Sequence, residues 1–256
     1  MVPPFNISQK DLLQHLKLGG HIKFDVPALY TFSDSVVDAG NNIYYNAISR
    51  ANYTSYGIDF DGGKATYRFT NGQTEADFIA QLLGLPLPPP SLSLKDEQQI
   101  KKVRTVNSVG ALGCVLVQLA TVKPTTQCDE EGNKPVVVYN EQLSQLTLII
   151  QSTLSGSKSV LGNVYKVWRE LLDSPASYGF ELRYYQHKKW LLHEHKRNQT
   201  MPRDENVTET GNKRNEHLFF DLFLHPSEAT HFIFTRRCLK ESPICFPINL
   251  VELLKA

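Results

Sequence analysis

The chain has 256 residues, 27 lysines and arginines against 26 aspartates and glutamates, and a formal net charge of +1. A length of this order suits one α/β domain with a full core, and the even charge balance removes any global field that would recruit nucleic acid or an anionic membrane surface. No apolar run approaches the length of a membrane span. The first 25 residues read as an extension rather than a signal peptide, because Gln9, Lys10, Asp11, Gln14, His15 and Lys17 interrupt every apolar core there.

In chain order, VPALYTF (residues 26–32) is a short β-rich apolar run of the kind that forms a strand buried on both faces. It stops at Ser33-Asp34-Ser35, and Asp34 and Asp38 read as turn and capping residues. SRANYTSYGIDFDGGKATYRFTNG has no helical period and reads as loop, with Arg68 and Asn71 in structural roles. Thr74-Glu75-Ala76-Asp77 is a helix-start signature before the apolar face of Ile79, Leu82 and Leu83, and Gly84 is placed to end that helix. LPLPPPSLSL follows as an extended, polyproline-like segment.

A second strand is expected over about Val103 to Val109, entering a glycine turn at Gly110. Tyr139, Leu143, Leu146, Ile150 and Leu154 recur at three- and four-residue spacing and predict one amphipathic helix face. A third strand near Ser159 to Val164 leads into a helix over Tyr165 to Leu172. This alternation predicts a parallel sheet covered by helices. Residues 181–216 are polar and charged and read as a surface loop in which His187, His193 and His195 are solvated rather than metal ligands. An apolar segment with Asp221 and His225 then precedes a helix opened by Pro226, with Glu228 in its first turn.

Four cysteines permit three pairings; the expected one is local, Cys114 with Cys128 and Cys238 with Cys245, the alternative being four buried free thiols. Asn6, Asn52, Asn198 and Asn206 stand in N-x-S/T sequons, which suits a secreted protein and disagrees with the polar amino end.

By position alone Ser35 is a cap or turn residue, Asp221 a partner for a nearby cation, and His225 the residue before a proline-led helix. Their order in the chain gives them another meaning. PALYTFSDSVVDAGNN and RANYTSYGIDFDGGKATYRFTNGQTEADFIAQLLGLPLPPP closely resemble the opening of plant-type GDSL esterases and lipases of the SGNH hydrolase superfamily. The resemblance resumes in VGALGC, NVYKVWRELLDSPASYGF and LFFDLFLHPSEATHFIF, and ends in SPICFPINLVELL.

The resemblance implies a flavodoxin-like three-layer α/β/α sandwich, here with an incomplete parallel sheet of about three clear strands, in a single hydrolase domain over residues 26–256. It implies hydrolysis of carboxylic or lipid esters through an acyl-serine intermediate, secretion, and no metal or organic cofactor. Ser35 matches the family nucleophile, His225 matches the base, and Asp221 is the candidate acid; the Ser35 backbone N–H would supply one oxyanion donor. The chain departs from the pattern in three places. Ser33 replaces a glycine, Asp221 stands four rather than three residues before His225, and the second and third motifs, which carry the oxyanion glycine and asparagine, have no match. Asn107 or the backbone around Gly110 would have to stand in beside Ser35. The competing expectation is a catalytically inactive relative that keeps the pocket and binds an ester or a protein without turnover.

Overall fold

A computed structural model describes residues 8–18, 29–46, 49–53, 56–94, 103–153, 158–180 and 224–255. Asp221, the three histidines at 187, 193 and 195, and the polar stretch 181–216 lie outside these residues.

The sheet has four strands in the order β1 (Leu29–Phe32), β2 (Val103–Asn107), β3 (Lys158–Gly162) and β4 (Cys245–Phe246). The first three are parallel, with Phe32 opposite Val106 and Asn107 opposite Gly162. The two-residue β4 runs antiparallel to β3, a strand too short for any alternation pattern to announce. Among the described residues β1 has a partner on one side only, so the strand that leads to Ser35 is an edge strand; none of its residues is fully buried and Phe32 is 54% exposed, so it is not the strand buried on both faces that its apolar run predicts.

The helices are α1 (Gln9–His15), α2 (Glu75–Leu83), α3 (Leu116–Val122), α4 (Glu130–Thr153), α5 (Val164–Asp173), α6 (Glu228–Cys238) and α7 (Leu250–Lys255). The expected start and stop of α2 are both present. The Thr74 N–H donates to Asp77 Oδ2 at 2.8 Å, and Gly84 ends the helix in the left-handed region at φ +70°. Phe78, Ile79, Leu82 and Leu83 of α2 enter one buried cluster with Val160, Trp168, Leu171, Phe232, Phe234 and Leu239. Leu12, Leu13 and Leu16, from the stretch set apart by sequence as an extension, join the same cluster. Gln9 Nε2 donates to the Leu82 carbonyl and Lys240 Nζ to the Leu16 carbonyl, both at 2.7 Å.

The long helix α4 departs from the sequence pattern in two ways. It begins at Glu130 and continues through Pro135, although that ring removes one helical hydrogen bond. Asp129 holds its start by accepting from the Gly132 N–H at 3.1 Å. The helix is also rotated from the predicted face: Tyr139 and Leu146 are about half exposed, whereas Asn133, Val136 and Thr147 are buried. Polar anchors set this rotation. Asn133 Oδ1 accepts from the Gly113 N–H at 2.8 Å, while Asn140 accepts from the Val109 N–H at 2.8 Å and donates to the Val109 carbonyl at 2.9 Å.

The local cysteine pairing is the one formed: Cys114 bonds Cys128 and Cys238 bonds Cys245. Among the described residues no helix is long and apolar enough to cross a membrane.

Candidate active site

Ser35 opens a 3-10 turn, Ser35–Val37, three residues beyond the carboxyl end of β1. The turn is built by its aspartates. Asp34 accepts from the Val36 N–H at 2.9 Å, as a side-chain cap does. Asp38 accepts from the N–H groups of Gly40, Asn41 and Asn42 at 2.9, 2.6 and 3.0 Å, and from the Asn42 side-chain amide at 2.8 Å. Ser33, where the resembled pattern has glycine, is not among the residues with positive φ, so the serine meets no left-handed strain there.

The structure brings Ser35 and His225 together across 190 residues of sequence, with Oγ 2.8 Å from Nε2. In the tautomer protonated at Nδ1, Nε2 accepts the serine hydroxyl proton. His225 is buried, and the Phe69 ring stacks on its imidazole at 4.4 Å between centroids and 16° between planes. Asp221, the expected acid, lies outside the described residues.

Two buried carboxyls flank these turns. Glu75 accepts from Asn107 Nδ2; burial pushes its pKa up to about 8 against the effect of that bond, with repulsion from Asp34 adding to the rise. Glu228 accepts from the Gln73 N–H at 2.9 Å. Burial pushes it up to about 8 as well, the Gln73 bond opposing and Asp59 and Asp77 adding to the rise. Both are therefore neutral acids at pH 7. One turn further along α6, His231 is held down at about 3 by burial and by the neighbouring His225, so it stays an uncharged core residue.

Of the candidate stand-ins for oxyanion donors, Asn107 is engaged elsewhere. The Asn107 amide donates to Glu75. Gly110 lies under Trp168, where an added Cβ would come within 2.6 Å of the indole. Phe69, Asn71 and Glu228 are parts of the site's frame that periodicity does not single out, since their partners are remote in sequence; only their place in the resembled YRFTNG and HPSE stretches marks them, while Glu75 shows in the sequence only as part of the α2 start signature.

A four-stranded mixed sheet flanked by helices, with the serine turn at the carboxyl edge of its first strand, defines an α/β protein. No family model matches the chain. Among curated proteins, one GDSL esterase/lipase of Arabidopsis thaliana is 46% identical over 93 residues, 36% of this chain and 29% of that protein. GDSL esterase/lipase 7 of the same plant is 41% identical over 130 residues, 50% of this chain and 32% of that protein. A further Arabidopsis GDSL esterase/lipase is 25% identical over 343 aligned positions, covering 89% of this chain and 91% of itself.

The chain thus spans less than a third of the length of the first two relatives. The last alignment has more positions than this chain has residues, so internal stretches of that relative have no counterpart here. By these likenesses the chain is similar to the plant GDSL esterases/lipases, and its helix-flanked α/β sheet is consistent with the SGNH hydrolase fold that they imply.

Proposed function

We propose that this chain is a serine ester hydrolase of the GDSL type, acting on carboxylic or lipid esters with Ser35 as nucleophile, His225 as base and Asp221 as the acid that orients it. The observation that carries the reading is the 2.8 Å separation of Ser35 Oγ and His225 Nε2. In the reaction Oγ attacks the ester carbonyl while Nε2 takes its proton. Collapse of the tetrahedral species expels the alcohol, which receives that proton from His225. Water then hydrolyses the acyl-serine by the same exchange. The Ser35 N–H supplies one oxyanion donor. Each further donor lost costs about 100- to 1,000-fold in rate, so turnover is expected to be slow.

The residues from 26 onward act as one hydrolase domain, with Leu12 and Leu13 of α1 and Leu16 at its end packed into its core, and the protein is secreted; Asn52, exposed beside the buried Ala51, is the sequon asparagine among the described residues. A second reading, a binding protein that keeps the pocket without turnover, is favoured by the engagement of the Asn107 amide with Glu75.

The test is burst and steady-state release of p-nitrophenol from short-chain p-nitrophenyl esters, with Ser35→Ala and His225→Ala beside the wild type. Hydrolysis that falls to background in both variants supports the esterase. Equal background rates from all three folded proteins overturn it in favour of the binding protein.

A further inference from the structure

The segment from Tyr67 to Gln73 touches both halves of the candidate site. On the serine side, the Tyr67 carbonyl accepts from Asn42 Nδ2 at 2.6 Å, and Asn42 is itself held by Asp38, which closes the Ser35 turn. On the histidine side, Phe69 stacks on His225. Beyond it the same segment grips the first residue of α6 by two buried bonds. The Glu228 N–H donates to Asn71 Oδ1 at 2.9 Å, and the Gln73 N–H donates to Glu228 Oε1 at 2.9 Å. Asn71 is oriented for this by donating from Nδ2 to Asp59 Oδ2 at 2.7 Å. Gly72 is the residue between the two grips, and a Cβ there would lie 2.4 Å from the Glu228 carboxyl carbon. Glycine alone leaves that carboxyl its place.

We infer that Asn71 and Glu228 are positioning residues: together they clamp the start of α6 to the 71–73 turn and so fix the reach of His225, three residues before Glu228, to the hydroxyl of Ser35. The inference rests on the proposed esterase reading for its kinetic consequence, though the clamp itself does not depend on turnover. Without the clamp, the His225 loop keeps its stacking partner but loses the two bonds that set its height above the serine turn. A misplacement of about 1 Å costs on the order of a hundredfold in a reaction that depends on near-attack geometry.

Because Glu228 is neutral at pH 7, glutamine is its conservative replacement: the amide oxygen keeps the bond from Gln73. Aspartate withdraws the same carboxyl by one methylene and leaves the fold a small change.

The experiment compares wild type with Glu228→Asp, Glu228→Gln and Asn71→Ala, with Ser35→Ala as control. Two readouts are taken on the full chain: kcat and KM for p-nitrophenyl acetate, and the ¹⁵N shifts and titration of the His225 ring by NMR. The expected result is a fall in kcat of about ten- to a hundredfold for Glu228→Asp and Asn71→Ala, with KM within about twofold and recovery in Glu228→Gln. In those two variants the His225 ring signals move toward those of Ser35→Ala. Wild-type kcat and unchanged ring signals in folded Glu228→Asp overturn the inference. If wild type and Ser35→Ala hydrolyse equally, the esterase reading fails by itself and the ring signals alone decide the clamp.

Discussion

The two sides of this molecule are held by different means. Around Ser35 and His225, bonds close between residues more than 150 positions apart: Ser35 with His225, Gln73 with Glu228, and Glu228 with Asn71. Most of these groups are buried and two of the carboxyls are neutral. Along α4, two asparagines anchor the helix to the backbone at Gly113 and Val109, and its outer face is left with Val138, Tyr139, Leu146 and Ile149 exposed. The site side spends buried polar groups on fixing a geometry; the α4 side fixes only a rotation. Substitutions should therefore cost most on the first side, and the sign and size of each cost test the contrast.

The largest effect is expected at Arg68. Its guanidinium pairs with Asp77 through Nε to Oδ2 and Nη2 to Oδ1, both at 2.8 Å, and also donates to the Pro88 carbonyl at 3.1 Å. Asp77 is fully buried. Arg68→Ala leaves that carboxylate without its cation, which costs about 3 to 5 kcal/mol, and a urea melt reads it. A loss below about 1 kcal/mol would mean that the buried pair is not what holds the 67–77 segment.

Next comes the dependence of stability on pH. Glu75 and Glu228 each rise from an ordinary 4.5 to about 8 on folding. Between those values the folded state holds a proton that the unfolded chain has released, so stability falls as pH rises, by about 1.4 kcal/mol per pH unit for each such proton. His231 falls from 6.5 to about 3; there the unfolded chain binds the extra proton, so its contribution is lost as pH drops from 6.5 toward 3. The two trends oppose one another up to pH 6.5, and above it only the glutamates act. Melting temperature should therefore drop between pH 6.5 and 8, and Glu228→Gln or Glu75→Gln should each flatten that drop. A melt equally steep in both variants would show that these carboxyls are not protonated in the folded protein.

Asn140→Ala is a smaller change on the α4 side. It removes the partner of both the Val109 N–H and its carbonyl, and a half-buried backbone pair left without partners costs about 1 to 3 kcal/mol. By contrast, Lys134→Ala breaks an ion pair with Glu131 whose side chains are 68% and 80% exposed; no measurable loss is expected there.

How much of this was legible in the sequence follows the same division. The α2 boundaries were written in Thr74, Asp77 and Gly84 because caps are local: donor and acceptor lie within one turn. Strands β1 to β3 were each legible as a short strand, although the apolar run of β1 announced burial on both faces that an edge strand does not have, and their parallel pairing followed from the helices between them. Ser35 and His225 were found through the family resemblance and not through periodicity. The Asn71 to Glu228 clamp was not legible, since each bond joins groups about 155 residues apart and neither residue type announces its partner. The rotation of α4 was misread for a related reason: apolar spacing selected Tyr139 and Leu146, while the decisive groups were asparagines, which a hydrophobic count treats as outward-facing.

That rotation can be tested by setting a small expected effect against a large one. Ile149 is 57% exposed and Thr147 is 3% exposed, two positions apart on the same helix. Ile149→Lys places a good helix former on a solvated face and should change stability by less than about 0.5 kcal/mol. Thr147→Lys forces an ammonium into the face that packs on the sheet, where Thr147 Oγ1 bonds back to the Leu143 carbonyl at 2.8 Å, and an unpaired buried charge is among the few changes that cost several kcal/mol. Paired urea melts at one protein concentration give both numbers. If the ranking were reversed, the apolar stripe through Tyr139 and Leu146 would be the inward one after all, and Asn133 and Asn140 would have to be decorating the helix rather than turning it.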